Sequence, residues 1–139
     1  MVIDGEVTLV HEGHHQANLM PFEQDRFSGG WTTKSFGKVR DFNLMLADGC
    51  NGKLEVIAIE KDGYYATIIS NNRDGRQLTE AFYCINGPVH ITIGDDGDIV
   101  LEEGDLIQMN IEQLETSIFI KLHNRAEVEV NVIRASVNF

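Results

Sequence analysis

Asp-Gly, Asn-Gly and Gly-Asp pairs punctuate this chain from end to end. They occur at Asp4-Gly5, Asp48-Gly49, Asn51-Gly52, Asp62-Gly63, Asp74-Gly75, Asn86-Gly87, Asp96-Gly97 and Gly104-Asp105. Glycine and asparagine tolerate the left-handed backbone that tight turns need, and aspartate bonds its own backbone there, so each pair marks a chain reversal. Between the pairs the apolar residues alternate, as in Val7 and Leu9, Leu54 and Val56, or Val128 to Ile133. No stretch carries a long 3.6-residue apolar period; Ile111 to Thr116 has room for one helical turn at most. Turns at intervals of about 8–12 residues, separated by alternating strands, define a β-sandwich or barrel.

The chain has 139 residues, enough for one domain with a substantial core. With 22 acidic and 11 basic side chains its net charge is −11, the wrong balance for a phosphate backbone or an anionic membrane surface. No apolar run of membrane-spanning length and no signal-peptide pattern is present, which points to the cytosol. Cys50 and Cys84 have no CxxC spacing and read as two free thiols.

One stretch departs from the pattern. Gly37-Lys-Val-Arg-Asp-Phe-Asn-Leu-Met-Leu46 sets Arg40, Asp41 and Asn43 against Phe42, Leu44, Met45 and Leu46, after Gly37 breaks the run begun at Thr32 and Thr33. A buried polar group without a partner costs about 1–3 kcal/mol, so these side chains require either a structural network or a ligand. A cavity lined by Phe27, Trp31, Thr33 and Phe42, with Arg40, Asp41 and Asn43 as directional contacts, suits a small polar metabolite. Strand alternation puts Arg40 on the opposite face from Asp41 and Asn43, so the latter pair is the more coherent. The same two residues are equally suited to capping backbone groups.

Catalytic and metal patterns are weak. His11-Glu12-Gly13-His14-His15 offers three histidines but reads as an exposed hairpin tip, because Gly13 marks a loop and the spacing converges no two ligands. Gly94-Asp95-Asp96-Gly97-Asp98 lacks the spacing and terminal glutamate of a calcium loop. Cys84 lies in the apolar strand Ala81 to Ile85, which Pro88 to Ile93 is expected to join as a hairpin. No catalytic residue, metal or cofactor is assigned from these patterns.

Two resemblances extend this reading. From Ala81-Phe82-Tyr83-Cys84-Ile85-Asn86-Gly87 to Leu101-Glu102-Glu103-Gly104-Asp105-Leu106-Ile107 the rhythm resembles a cupin, whose metal-binding members use histidines and a glutamate that His90 and His123 do not reproduce. Pro21-Phe22-Glu23, Phe27, Gly29, Trp31, Thr33, Ser35, Gly37, Val39 and Asp41-Phe42-Asn43-Leu44-Met45 closely resemble the HutD/Ves family. That resemblance implies a cupin-like double-stranded β-helix, or jelly-roll barrel, with a partial second barrel, all within one domain spanning 1–139. It also implies a cytosolic accessory protein without established catalysis, tied to histidine utilisation or stress response, whose ligand is a small polar metabolite such as a histidine-pathway intermediate. Full-length members carry a further N-terminal segment with a Trp-x-Asn-Gly-Gly-Gly element, so either the start is truncated here or the chain is a short branch whose first barrel is incomplete. The unpaired edges of an incomplete barrel are expected to be covered in a homodimer or higher assembly. The competing expectation is a metal-independent isomerase or lyase working through Asp41 or a histidine.

Overall fold

The computed structural model describes residues 1–70, 77–111 and 117–139. The polar segment 71–76 and the 112–116 part of the candidate helical turn lie outside the described residues. Eleven strands and no helix are found among the described residues, so no helix there is long and apolar enough to cross a membrane. They fall into two compact units, Met1–Met45 and Leu46–Phe139.

The first unit is a three-stranded antiparallel sheet in the order β2-β1-β3, with β1 at Val2–His11, β2 at Gln16–Leu19 and β3 at Thr33–Asp41. Strand β1 pairs with β3 from His11↔Thr33 to Val2↔Asp41, with an irregularity between Val2 and Asp4. Gly37, expected to end the strand, lies inside β3 opposite Val7 with φ 131°. The reason is steric: a Cβ there would stand 2.3 Å from the Glu6 carbonyl oxygen, so only glycine lets the two backbones approach this closely.

The second unit holds β4 (Asn51–Ile59), β5 (Tyr64–Ile69), β6 (Leu78–Cys84), β7 (Val89–Ile93), β8 (Ile99–Leu101), β9 (Leu106–Ile111), β10 (Ile118–His123) and β11 (Val130–Asn138). The pairs β7–β8, β6–β9, β5–β10 and β4–β11 are nested, each enclosing the one before. Added β10–β7 and β11–β6 pairs divide this rolled ribbon into two four-stranded sheets, β5-β10-β7-β8 and β4-β11-β6-β9. That is the jelly roll.

The hairpin expected between the Ala81 and Pro88 strands does not form. After β6 the chain crosses to the other sheet, where β7 pairs with β8 and β10. Asn86-Gly87 therefore turns the chain between sheets rather than within one. Phe82, Ile91, Ile120, Leu122, Val130 and Val132 are fully buried between the sheets. Alternate residues of β11 and β6 share that inner face, which carries Arg134 and Ser136 after Val132, and Glu80 between Leu78 and Phe82.

Candidate functional site

The polar cluster of the first unit grows out of the β1–β2 turn. His11 is the last residue of β1, and its backbone N–H donates to the His15 carbonyl at 2.9 Å while His14 N–H donates to His11 at 2.9 Å. Gly13, at φ 78°, supplies the left-handed step that closes this turn. The closure brings the His11 and His15 rings to 4.6 Å between centroids. Asp25, from the loop after β2, places one carboxylate oxygen 2.9 Å from His11 Nε2 and 2.8 Å from His15 Nε2.

These three side chains bring their ligand-type atoms within 4.8 Å of one another. Two nitrogens therefore do converge on one oxygen, contrary to the reading of this segment as a simple exposed tip. The sequence spacing concealed this because the third member comes from a separate loop. Glu12, Gly13 and His14 are exposed as expected, but the His11 side chain is 0% exposed, that of Asp25 16% and that of His15 41%. The cluster thus runs from the interior of its unit outward.

Burial acts to raise the Asp25 carboxyl, but hydrogen bonds from His15 and His11 and from the Arg26 N–H outweigh it, holding the group below the usual carboxylate range. An ionised carboxylate only accepts, so each imidazole carries its proton on Nε2. In a neutral His11 ring Nδ1 is then the acceptor, and the Thr33 hydroxyl, 2.8 Å away, donates to it. Aromatic rings enclose the cluster. Phe27 lies 4.4 Å from His11 between centroids, and Trp31 stacks on His14 at 3.7 Å with 10° between planes.

Three of the seven residues expected at the cavity, Phe27, Trp31 and Thr33, meet here. Arg40, Asp41, Phe42 and Asn43 lie at or just past the other end of β3. Asp41 ends β3 opposite Val2, whereas Thr33 begins it opposite His11. Eight strand steps of about 3.3 Å separate the two positions by about 26 Å, so one cavity within the unit cannot hold both sets. Arg40, Asp41 and Asn43 are exposed, as is Met45 at 89%. The expectation of buried polar side chains threaded through an apolar strand is corrected accordingly: β3 stops at Asp41, and alternation no longer governs Asn43.

The second unit contains a polar layer at one end of its core. Arg134 meets Glu80 through Nε to Oε2 at 2.8 Å and Nη2 to Oε1 at 3.0 Å. Its Nη1 reaches Glu55 at 3.2 Å and, across the sheets, Tyr65 Oη at 3.1 Å and Thr67 at 3.4 Å. Ser136 Oγ lies 2.9 Å from both Glu80 oxygens. The Glu80 hydrogen bond, working against burial, raises the Arg134 guanidinium further above its usual range. Sequence reasoning misses this layer because the apolar run begins at Ala81, one residue after Glu80. The signal was present in the alternation of Leu78, Glu80 and Phe82.

An all-β jelly roll with polar groups at the end of its core, preceded by a smaller antiparallel sheet, is the architecture of cupin-like proteins. The HutD family model matches residues 1–129, and the chain belongs to the HutD family. Among solved structures it resembles a conserved protein of unknown function from Pseudomonas aeruginosa PAO1, with a TM-score of 0.76 at 17% identity over 99% of this chain and 69% of that one. A de novo designed double-stranded β-helix aligns with 60% of this chain and 97% of its own, at 10% identity and a TM-score of 0.49. Comparison with curated proteins found no match.

Proposed function

We propose that this protein is a non-catalytic accessory protein that binds a small polar metabolite, in the cytosol, in the setting of histidine utilisation or stress response. The observation carrying the reading is the convergence of Trp31, Phe27 and Thr33 on the His11–Asp25–His15 cluster, beside a half-exposed His15. Aromatic walls with a few directional polar groups suit a small planar or carboxylate-bearing ligand. The Asp41 and Asn43 end of the same sheet is the rival location for that ligand. The jelly-roll layer is a poorer one, because Glu80, Glu55, Tyr65 and Thr67 already engage Arg134. Histidine-pathway intermediates are the first candidates on the strength of the family. Strands β2 and β3 are the edges of their sheet, and Phe36 of β3 is 59% exposed, which supports a homodimer that covers an edge.

A thermal-shift panel of histidine, urocanate, formiminoglutamate and formylglutamate, run in EDTA, tests the reading. Stabilisation by one of them is expected, abolished in Trp31→Leu and retained in Asn43→Ala. The opposite pattern moves the ligand to the Asp41 end, and no shift across the panel defeats the histidine-pathway assignment. Light scattering at micromolar concentration is expected to return a dimer mass, and a monomer defeats that part.

A further inference from the structure

His11, His15 and Asp25 present two imidazole nitrogens and one carboxylate oxygen within 4.8 Å of one another. We infer that this cluster is a binding site for a divalent transition ion of the zinc class, with His11 Nε2, His15 Nε2 and one Asp25 oxygen as its ligands. The inference deepens the binding reading of the same corner, by placing an ion where a metabolite's polar group would be held.

The donor set selects the ion. Imidazole suits zinc, cobalt and nickel, whereas calcium and magnesium require a shell of oxygens. Three protein ligands and one open position are the arrangement of a zinc site that keeps a place for water or ligand. The open position falls on the side of His15, whose side chain is 41% exposed, because His11 is fully buried.

The distances are compatible. Two bonds of about 2.0 Å meeting at a tetrahedral angle separate their ligand atoms by about 3.3 Å. The nitrogen–oxygen separations here are 2.9 and 2.8 Å and all three ligand atoms lie within 4.8 Å of one another, so the ion is admitted by widening the former by about half an ångström and bringing the two nitrogens to about 3.3 Å. His15 lies in the turn and Asp25 in a loop, outside any strand ladder that would resist this movement.

Proton bookkeeping also closes for the buried ligand. Without an ion, Nε2 of His11 carries the proton donated to Asp25. Ligation through Nε2 moves that proton to Nδ1, where Thr33 Oγ1 at 2.8 Å turns from donor to acceptor. A hydroxyl can play either part, so Thr33 holds the His11 ring in both states. A partner on the far nitrogen is the usual support for a metal-bound histidine.

Trp31 is the only tryptophan, and it contacts His14 face to face and His11 and His15 edge-on at 5.8 and 5.9 Å. Its emission therefore reports on the cluster directly. The test is titration of the EDTA-treated full chain with zinc alone and with cobalt alone, read by tryptophan emission, calorimetry and the visible absorption of cobalt. One equivalent is expected to bind, with cobalt giving low-symmetry visible bands. His15→Gln and Asp25→Asn are expected to weaken binding by at least about 100-fold, and Thr33→Val by about 10–100-fold. Thermal unfolding without metal checks that each variant folds, and His15→Gln, altered at an exposed side chain, is the decisive one. No binding, or equal binding by wild type and His15→Gln, overturns the site. Since no organic ligand is present, this failure is separate from failure of the metabolite panel in EDTA.

Discussion

The Arg134 guanidinium and the Glu80 carboxylate meet fork to fork inside the jelly roll, at 2.8 and 3.0 Å, with side chains 14% and 4% exposed. Each neutralises a charge that its surroundings would otherwise expel. Removing Glu80 leaves the enclosed Arg134 with Glu55 as its remaining carboxylate, and removing Arg134 leaves Glu80 enclosed without a counter-charge; either is more costly than losing the pair together.

Glu80→Ala is accordingly expected to destabilise the protein by about 3–5 kcal/mol, as measured by urea unfolding. The double variant Glu80→Leu, Arg134→Met replaces the pair with apolar volume and is expected to recover most of that loss. A Glu80→Ala cost under about 1 kcal/mol would show that the pair is not desolvated in solution.

Asn124 is fully buried and stitches the β10–β11 connection to the end of β4. Its amide nitrogen donates to the carbonyls of Ile59 at 2.8 Å, Glu60 at 3.1 Å and Val128 at 2.8 Å, and its oxygen accepts from Ala126 N–H at 2.8 Å. Asn124→Ala leaves these groups without a partner, so a loss of at least about 2 kcal/mol is expected by urea unfolding. Asn124→Asp keeps the shape but turns a donor into an acceptor facing three carbonyls, and is expected to be at least as damaging.

Glu55 is held below its ordinary value, first by a hydrogen bond from Lys53 and then, against the opposing effect of burial, by the charges of Lys53 and Arg134. Its ionised form is therefore favoured by folding. The stabilisation is complete above the unfolded value near 4.5 and is lost as pH falls through the lower folded value. Urea midpoints recorded from pH 6 down to 3 are expected to fall less steeply in Glu55→Gln than in wild type. Equal slopes would remove Glu55 from the account.

Burial, followed by the nearby Asp105, Glu102 and Glu103 carboxylates, pushes the Cys84 thiol up to about 11. At pH 8 Cys84 is protonated and enclosed, whereas Cys50 is half-buried in a turn. A disulfide reagent is expected to modify one thiol rapidly in the native protein and the second only on unfolding. Peptide mapping should place the first label on Cys50, and early labelling of Cys84 would contradict the burial.

The β-rich class was readable because its cause is local. Strand alternation and Asp-Gly turns act over two to four residues, so most strands fall within a few positions of where the residues place them. The exceptions have identifiable causes. Gly37 read as a break because glycine weakens strands, yet here it admits a close backbone approach from Glu6. Pro88 to Ile93 read as the hairpin partner of the preceding strand because Asn-Gly favours reversal, but the nested pairing sends it to the other sheet.

Trp31, Phe27 and Thr33 were visible as candidates from the chain itself. The residues they surround were not. Asp25 joins His11 and His15 from across β2, and Glu80 joins Arg134 from 54 residues away. Alternation states which side chains share a face of one strand. It carries no information on which strands become neighbours, because pairing depends on the summed burial and hydrogen bonding of the whole sheet. A β-rich, acidic chain of HutD likeness is legible in the residues alone, because alternation, turn chemistry and charge are local. That its polar residues gather at the β1–β2 turn and at the end of the jelly-roll core, and that Asp41 and Asn43 face solvent, follows from pairing between distant strands.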